Sequence, residues 1–151
     1  MTDAERVFLD TCVLLTATDP DRPGHAAALR ALNTWPARGV TLFVSGQVLR
    51  EYLSVATRSP KGNGLGLSPA EAVGNVRALL TRLHLLEESE RCRERLLALI
   101  GEHGVSGKQV HDANIVATML GHGVTRLITF NEEDFRRFAV ELMTLEEPAP
   151  R

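Results

Sequence analysis

The stretch VFLDTCVLL at residues 7–15 joins two apolar runs through a single acidic residue, and the fold follows from it. The run that ends at Leu9 has the length and composition of a buried strand. Asp10 comes directly after it, so in an open parallel sheet its carboxylate stands at the carboxyl edge, where ligands bind. The same aspartate can instead cap a helix that begins near Thr11, a common role for aspartate after a strand.

Strand and helix patterns alternate over the rest of the chain. The predicted strands cover residues 6–9, 40–44, 84–86, 126–130 and 140–143. The predicted helices cover residues 25–35, the segment that Ser45 caps and that runs to residue 58, and residues 69–83, 90–102 and 108–120. Parallel strands need crossover connections and are buried on both faces, so this alternation predicts an α/β fold around a central parallel sheet.

The best-defined local signal is Ser68-Pro69-Ala70-Glu71, which combines a capping box with a proline at the first helical position. The segment SPKGNGLGL at residues 59–67 precedes it and is predicted to be a loose surface connection. Because glycine lets backbone approach a ligand closely, this segment could also lie over a bound molecule.

Length and composition limit the domain organisation. A chain of 151 residues that is 44% hydrophobic can bury one substantial core, so residues 1–147 are predicted to form a single domain and residues 148–151 a frayed tail. The sequence has no apolar stretch of the roughly twenty residues that a membrane span needs, and no secretory signal pattern, so we expect a cytoplasmic protein. Two distant cysteines and no Cys/His cluster disfavour zinc chemistry.

Two further acidic residues lie beside apolar helix positions. Asp112 shares a helix face with Ile115, Val116 and Met119, and a carboxylate in such a place needs a proton, a basic partner or a cation. Alternatively, it is a first-turn aspartate that favours the helix dipole. Glu51 lies on the helix that Ser45 caps, and its alternative is an exposed surface glutamate.

A fourth acidic candidate follows the predicted strand at residues 126–130. The segment Asn131-Glu132-Glu133-Asp134 again stands at a predicted carboxyl edge, and the alternative is a solvated acidic turn that Asn131 caps. If these acids converge, two bare carboxylates 4 Å apart repel by about 4 kcal/mol at an effective dielectric of 20, so the cluster needs a cation. Oxygen ligands favour a hard ion such as Mg²⁺ and suit phosphodiester chemistry.

Four segments together resemble the PIN-domain nucleases, and most closely the VapC-type toxins of bacterial toxin-antitoxin pairs. They are VFLDTCVLL, SGQVLREYLSVATR, HDANIVATML and LITFNEEDF, and they occur in the order and approximate spacing of that family. The resemblance implies a three-layer α/β/α sandwich with a central parallel sheet. It also carries Asp10, Glu51 and Asp112 over as three members of an acidic quartet of catalytic metal ligands.

The fourth member of the quartet departs from the family pattern. Relatives often have aspartate two places after the threonine of the last catalytic strand, and here that place, two after Thr129, is taken by Asn131. Either Asp134 takes over, or the second metal position is weakened. Cys12 stands where many relatives have asparagine.

The activity implied is a Mg²⁺- or Mn²⁺-dependent endoribonuclease, the toxin of a type II toxin-antitoxin module. A metal-activated water would hydrolyse RNA and leave a 5'-phosphate and a 3'-hydroxyl. The resemblance further implies a small antitoxin partner and a homodimer. The alternative is a PIN-fold protein that binds RNA or a partner with weak or no cleavage, if Asn131 disables the metal pair.

Two other activities are disfavoured by the sequence. GEHGVSGK at residues 101–108 matches the first eight positions of a phosphate-binding loop, but Gln109 replaces the magnesium-binding Ser or Thr and the preceding pattern is helical. A phosphatase that uses Asp10 as its nucleophile is disfavoured because Cys12 occupies the place of the usual acid.

Overall fold

The computed structural model of the protein describes residues 5–146, so the predicted tail at residues 148–151 lies outside the described residues. Five parallel strands form one sheet in the order β3-β2-β1-β4-β5. They are β1 (Glu5–Leu9), β2 (Val40–Ser45), β3 (His84–Leu86), β4 (Arg126–Ile128) and β5 (Glu141–Met143). Six helices flank the sheet: α1 (Thr11–Thr18), α2 (His25–Thr34), α3 (Gly46–Thr57), α4 (Pro69–Leu80), α5 (Glu90–His103) and α6 (Gln109–Gly121). The predicted fold class is confirmed.

Strand β1 is the centre of the sheet. It pairs with β2 on one side and with β4 on the other, and Val7 and Phe8 are fully buried. Pairing on both sides and burial on both faces explain why this segment is a nearly continuous apolar run. The backbone N-H of Asp10 donates to the carbonyl of Ile128 at 3.0 Å, which continues the β1–β4 pairing by one residue. The residues that follow β1, β2 and β4 therefore lie along one edge of the sheet.

The helices begin close to the residues predicted from the sequence. The hydroxyl of Ser45 accepts from the N-H of Val48, and the capping box of Ser68 and Glu71 is present in both directions. Helix α4 ends at Leu80, three residues before the predicted end. There the Thr81 hydroxyl donates to the carbonyl of Ala78 at 2.6 Å and the backbone tightens into a turn that leads to β3.

The segment at residues 59–67 is not the loose connection that its glycines predicted. Leu65 and Leu67 donate their backbone N-H groups to the last turn of α3, to the carbonyls of Val55 and Ala56, and both side chains pack against the core. A Cβ on Gly64 would lie 2.0 Å from the carbonyl oxygen of Arg58, so only glycine fits this close approach of two backbone segments. The glycines of residues 59–67 allow this segment to pack closely against the rest of the protein.

The segment at residues 101–108 connects two helices. Helix α5 continues to His103, Gly104 ends it in the left-handed conformation with φ 61°, and α6 begins at Gln109. A phosphate-binding loop needs a strand before it, so the structure rules that motif out. Within residues 5–146, none of the helices is both long enough and apolar enough to cross a membrane.

Helices α5 and α6 approach closely at Gly121, and this contact gives a test of the packing. A Cβ at Gly121 would lie 2.7 Å from the sulfur of Cys92 and 3.2 Å from its Cα, so one added methyl group overpacks the contact. We expect Gly121→Ala to lower the free energy of unfolding by about 1–3 kcal/mol in urea denaturation.

The matched control is Gly101→Ala in α5, where an added Cβ meets nothing within 4 Å. Alanine is the better helix former by about 1 kcal/mol, so this variant should be neutral or more stable. Equal effects of the two substitutions would show that the α5–α6 contact is not as close as described.

Candidate functional site

Asp10 is a buried acid at the carboxyl end of β1. Only 7% of the residue is exposed, and its side chain has two roles. Oδ1 accepts from the backbone N-H of Thr11 at 2.7 Å and so caps α1, which is the helix-capping alternative. Oδ2 accepts from the hydroxyl of Thr129 at 2.7 Å. Burial raises the pKa of Asp10, and these two hydrogen bonds oppose that rise without cancelling it.

Thr129 connects two parts of the edge. While its hydroxyl donates to Asp10, the same oxygen accepts from the backbone N-H of Asn131 at 3.0 Å. This double role explains why β4 ends at Ile128 and not at Phe130, as the pattern predicted. The backbone leaves the strand at Thr129, and the Thr129 side chain lies at the edge of the sheet beside Asp10.

Cys12 lies beside the same carboxylate. Its sulfur is 3.9 Å from Oδ2 of Asp10 and accepts from the backbone N-H of Phe130 at 3.4 Å. Burial, followed by the negative charge of Asp10, raises the pKa of the Cys12 thiol to about 11. The side chain is therefore a neutral thiol at physiological pH, and it binds the residue that leads into the acidic segment after β4.

Glu51 is held on both of its oxygens. Oε2 accepts from the hydroxyl of Thr11 at 3.0 Å, and Oε1 accepts from the side-chain amide of Gln47 at 2.9 Å. Helix α3 presents Gln47 and Glu51 on one face because they are four residues apart. The side chain is half-buried and oriented, so the alternative of an exposed surface glutamate is wrong.

Asp112 lies in the first turn of α6 and is half-buried. Burial raises the pKa of its carboxyl to about 6, and the negative charges of Asp10, Asp134 and Glu51 add to the rise. The neighbouring His111 acts in the opposite direction. Acids from three other segments therefore act on Asp112, which a simple helix-start aspartate would not show.

The segment after β4 forms the short 3-10 turn Glu132–Asp134. Asn131 precedes it without forming a side-chain cap, so its predicted capping role is not observed. Asn131 and Asp134 are both exposed, and the charge of Asp134 is the one from this segment that acts on Asp112. Of the two candidates for the fourth position, Asp134 is the one whose charge acts on Asp112.

The donor set at this edge fits a hard divalent cation, because its charged atoms are all carboxylate oxygens. Among residues 5–146, however, no three Asp, Glu, His or Cys side chains come together closely enough to hold an ion between them. The expectation that Asp10, Glu51 and Asp112 jointly surround a cation is not met by this arrangement. Mg²⁺ often uses only one or two carboxylates and keeps several waters, so a two-carboxylate site remains chemically sufficient.

A cavity of about 900 Å³ opens beside the segment after β4, between the start of α2 and the ends of β4 and β5, and of the four acids Asp134 alone lines it. Phe130, Met143 and Leu145 give it apolar walls, and Glu132, Glu133 and Asp134 give it an acidic rim. Phe130 is 48% exposed, which is unusual for a phenylalanine next to a buried core. The acidic edge of the sheet therefore continues into a wide concave surface.

Three polar residues of the site were not singled out from the sequence. Thr11 and Thr129 orient Glu51 and Asp10, and Gln47 bonds to Glu51. Gln47 could have been found, since it lies four residues before Glu51 on the same predicted helix. The Thr129 contact spans 119 residues of sequence, so no local pattern could reveal it.

Comparison with known proteins identifies the family. The model of the PIN domain family matches residues 7–141, and the chain belongs to that family. The predicted resemblance is thus confirmed. No curated protein matches the chain at the level of sequence.

Solved structures share the fold over most of the chain. VapBC2 from Rickettsia felis, crystallised with a DNA fragment from the promoter, matches with a TM-score of 0.68 and 20% identity over 92% of this chain and 98% of that one. VapC20 from Mycobacterium tuberculosis, a toxin that cleaves the sarcin-ricin loop, matches with a TM-score of 0.66 and 18% identity over 89% and 97%. A toxin-antitoxin complex from Klebsiella pneumoniae matches with a TM-score of 0.64 and 24% identity over 92% and 97%.

The raised pKa of Asp112 predicts that its charge destabilises the metal-free fold. Below its unfolded value of 3.8 both states hold the proton, whereas between 3.8 and about 6 only the folded state does. Stability is therefore lost as pH rises through this window, and the loss is complete above it. After a discount for solvent screening, we expect Asp112→Asn to stabilise the chelator-treated protein by about 1 kcal/mol at pH 7.5.

The measurement is Tm by differential scanning fluorimetry at pH 7.5 and pH 4, with an expected gain of roughly 2–4 °C at pH 7.5. At pH 4 the gain should disappear for Asp112→Asn, and the exposed Asp21→Asn should give none at either pH. A gain of equal size at both pH values would contradict the electrostatic origin.

Proposed function

We propose that this PIN-domain protein is a divalent-metal-dependent endoribonuclease that acts as the toxin of a type II toxin-antitoxin module. The observation that carries the proposal is that Thr11 joins Asp10 to Glu51, and Gln47 joins Glu51 to the backbone beside Asp112, at one edge of the sheet. Negative charge concentrated in a half-buried place is costly unless a cation offsets it. Family membership and the likeness to VapC20, an RNA-cleaving toxin, point to a phosphodiester as the substrate.

Asp10 and Asp112 are assigned as the metal ligands, with Glu51 and Asp134 contributing directly or through water. A bound Mg²⁺ or Mn²⁺ supplies a water of lowered pKa and stabilises charge on the phosphate oxygens. The oxygen-only donor set suits both ions, and Mg²⁺ is the ion that this coordination chemistry favours.

The chain's own residues prepare these carboxylates. The backbone N-H of Thr11 and the hydroxyl of Thr129 fix the plane of the Asp10 carboxylate, and the Thr11 hydroxyl with Gln47 fixes that of Glu51. Oδ1 of Asp10 and both oxygens of Glu51 each accept from one donor, and Oδ2 of Asp10 accepts from the Thr129 hydroxyl and, at 3.9 Å, from the Cys12 thiol, which leaves lone pairs for a cation or its waters. At neutral pH Asp112, with a pKa of about 6, is ionised and can bind the cation.

The alternative is a PIN-fold protein that binds RNA or a partner without cutting, and Asn131 is the residue that would favour it. The charge of Asp134 at Asp112 argues against this alternative, since it keeps four acids in the site without an aspartate at position 131. The negative charges that act on Asp112 are offset when a cation binds there, which supports the metal-dependent activity.

A small antitoxin is the proposed protein partner. Several solved structures that share the fold are complexes with antitoxins, from Rickettsia felis, Haemophilus influenzae and Klebsiella pneumoniae among others. The cavity beside the segment after β4 has apolar walls and a rim in which Arg136 pairs with Glu132 and Glu133 while Asp134 adds a further negative charge, so it suits a segment that is mainly apolar and carries a basic side chain. A homodimer stays a prediction, which light scattering after size-exclusion chromatography can test.

Removal of one metal-binding charge tests the nuclease directly. We expect Asp10→Asn and Asp112→Asn to lower the rate of RNA cleavage by at least about 100-fold, because each substitution removes the negative charge of the side chain and keeps its volume. Cleavage should require Mg²⁺ or Mn²⁺, stop with EDTA, and leave 5'-phosphate ends that a ligation assay detects.

Glu94→Gln is the charge control, since Glu94 is an exposed residue of α5 outside the acidic edge. It should cleave at the wild-type rate. Full activity in both aspartate variants would refute the site, and full activity in EDTA would refute the role of the metal.

The fourth position gives a separate prediction. The charge of Asp134 acts on Asp112, whereas Asn131 is neutral. We therefore expect Asp134→Asn to slow cleavage about tenfold or more, and Asn131→Ala to change the rate little. Rates are compared at a fixed, subsaturating concentration of Mn²⁺. The opposite ranking would assign the fourth position to Asn131.

A further inference from the structure

Gln47 is a buried polar residue whose side chain connects the two helices that carry Glu51 and Asp112. Only 5% of it is exposed. Its amide nitrogen donates to Oε1 of Glu51 at 2.9 Å and to the backbone carbonyl of His111 at 2.8 Å. Its amide oxygen accepts from the side-chain amide of Asn114 at 2.7 Å. Both donors and the acceptor of the amide are thus in use.

This arrangement allows only one orientation of the amide. Rotating it by 180° would bring its oxygen against the carboxylate of Glu51 and the carbonyl of His111, which are both acceptors. It would also set its nitrogen against the amide nitrogen of Asn114, a donor against a donor. The environment therefore selects the amide orientation uniquely, and the side chain is held rigidly.

The hydrogen bonds of Gln47 connect two parts of the acidic site. One contact is with Glu51 on α3, and another is with the backbone of the residue that directly precedes Asp112 on α6. Asn114 adds a second contact from α6, one turn away from His111. A single side chain therefore joins the first turn of α6 directly to the Glu51 carboxylate.

We propose that Gln47 is a positioning residue for the metal site, which orients the Glu51 carboxylate and holds the first turn of α6, which carries Asp112. The inference rests on the proposed function, because it assigns Gln47 to the metal ligands named there. Gln47 itself does not bind the ion. It supplies neutral donors, which keep the carboxylate of Glu51 oriented without adding a positive charge that would compete with a cation.

A purely structural role is the competing explanation, since a buried amide with three hydrogen bonds also stabilises the fold. The two explanations differ in what a substitution changes. Loss of structure lowers Tm alone, whereas loss of positioning also lowers the affinity for the metal in protein that is still folded. Partners of metal ligands usually contribute a factor of 10–100 to metal affinity.

The test is Gln47→Met, which keeps the length and volume of the side chain and removes both donors. Isothermal titration calorimetry with Mn²⁺ measures the affinity of the purified full chain, and fluorimetry measures Tm without metal. We expect Kd for Mn²⁺ to rise at least tenfold at a temperature where the variant is fully folded. Excess Mn²⁺ should then restore RNA cleavage in Gln47→Met and not in Asp112→Asn.

Thr18→Val is the matched structural control. Its hydroxyl also joins two helices, through a 2.8 Å hydrogen bond to the hydroxyl of the fully buried Tyr52, and it takes no part in the acidic site. It should lower Tm with no change in the Kd for Mn²⁺. If Gln47→Met does not fold well enough for calorimetry, Asn114→Ala removes one contact of the same amide and should raise Kd by a smaller factor.

The outcomes separate the two proposals. Wild-type affinity for Mn²⁺ in Gln47→Met and Asn114→Ala would overturn the positioning role and leave the nuclease intact. Failure of the wild-type protein to bind either Mn²⁺ or Mg²⁺ would overturn the metal-dependent function and, with it, this inference.

Discussion

The burial of a carboxylate at the end of the central strand is the constraint on which the site depends. Asp10 is 7% exposed, and its identified donors are a backbone N-H, the hydroxyl of Thr129 and a neutral thiol. Neutral donors stabilise the charge only partly, so the pKa of Asp10 stays raised. Such a buried charge is stabilised further when a cation binds it, and oxygen ligands favour a hard ion.

The parallel sheet explains how acids from distant parts of the sequence meet. All five strands point the same way, so the segments that follow β1, β2 and β4 emerge at one edge. The segment after β1 supplies Asp10, the helix after β2 supplies Glu51 and the turn after β4 supplies Asp134. Asp112 comes to the same edge from the first turn of α6. Gln47 donates a hydrogen bond to the backbone carbonyl of the preceding residue, His111.

The sequence predicted the parts of this arrangement that local physics determines. Apolar runs marked β1 and β2, and the capping box at Ser68 marked the start of α4, because these signals depend on neighbours along the chain. The end of β4 and the anchored segment at residues 59–67 could not be predicted, because they depend on distant contacts. Thr129 turns out of the strand toward Asp10, and Gly64 lies against the carbonyl of Arg58.

Asn131 stands where relatives often have aspartate, and the turn of the chain after β4 supplies a negative charge from another residue, Asp134. The hydroxyl of Thr129 holds the backbone N-H of Asn131, and the 3-10 turn Glu132–Asp134 follows at once. This turn brings the charge of Asp134 within electrostatic range of Asp112, whereas the neutral amide of Asn131 adds no repulsion there. Because Asp134 is exposed and Asp10 is buried, the charge of Asp134 costs less free energy than that of Asp10. The edge of the sheet thus combines a buried acid, held by hydrogen bonds at the end of the central strand, with an exposed acid on a surface turn.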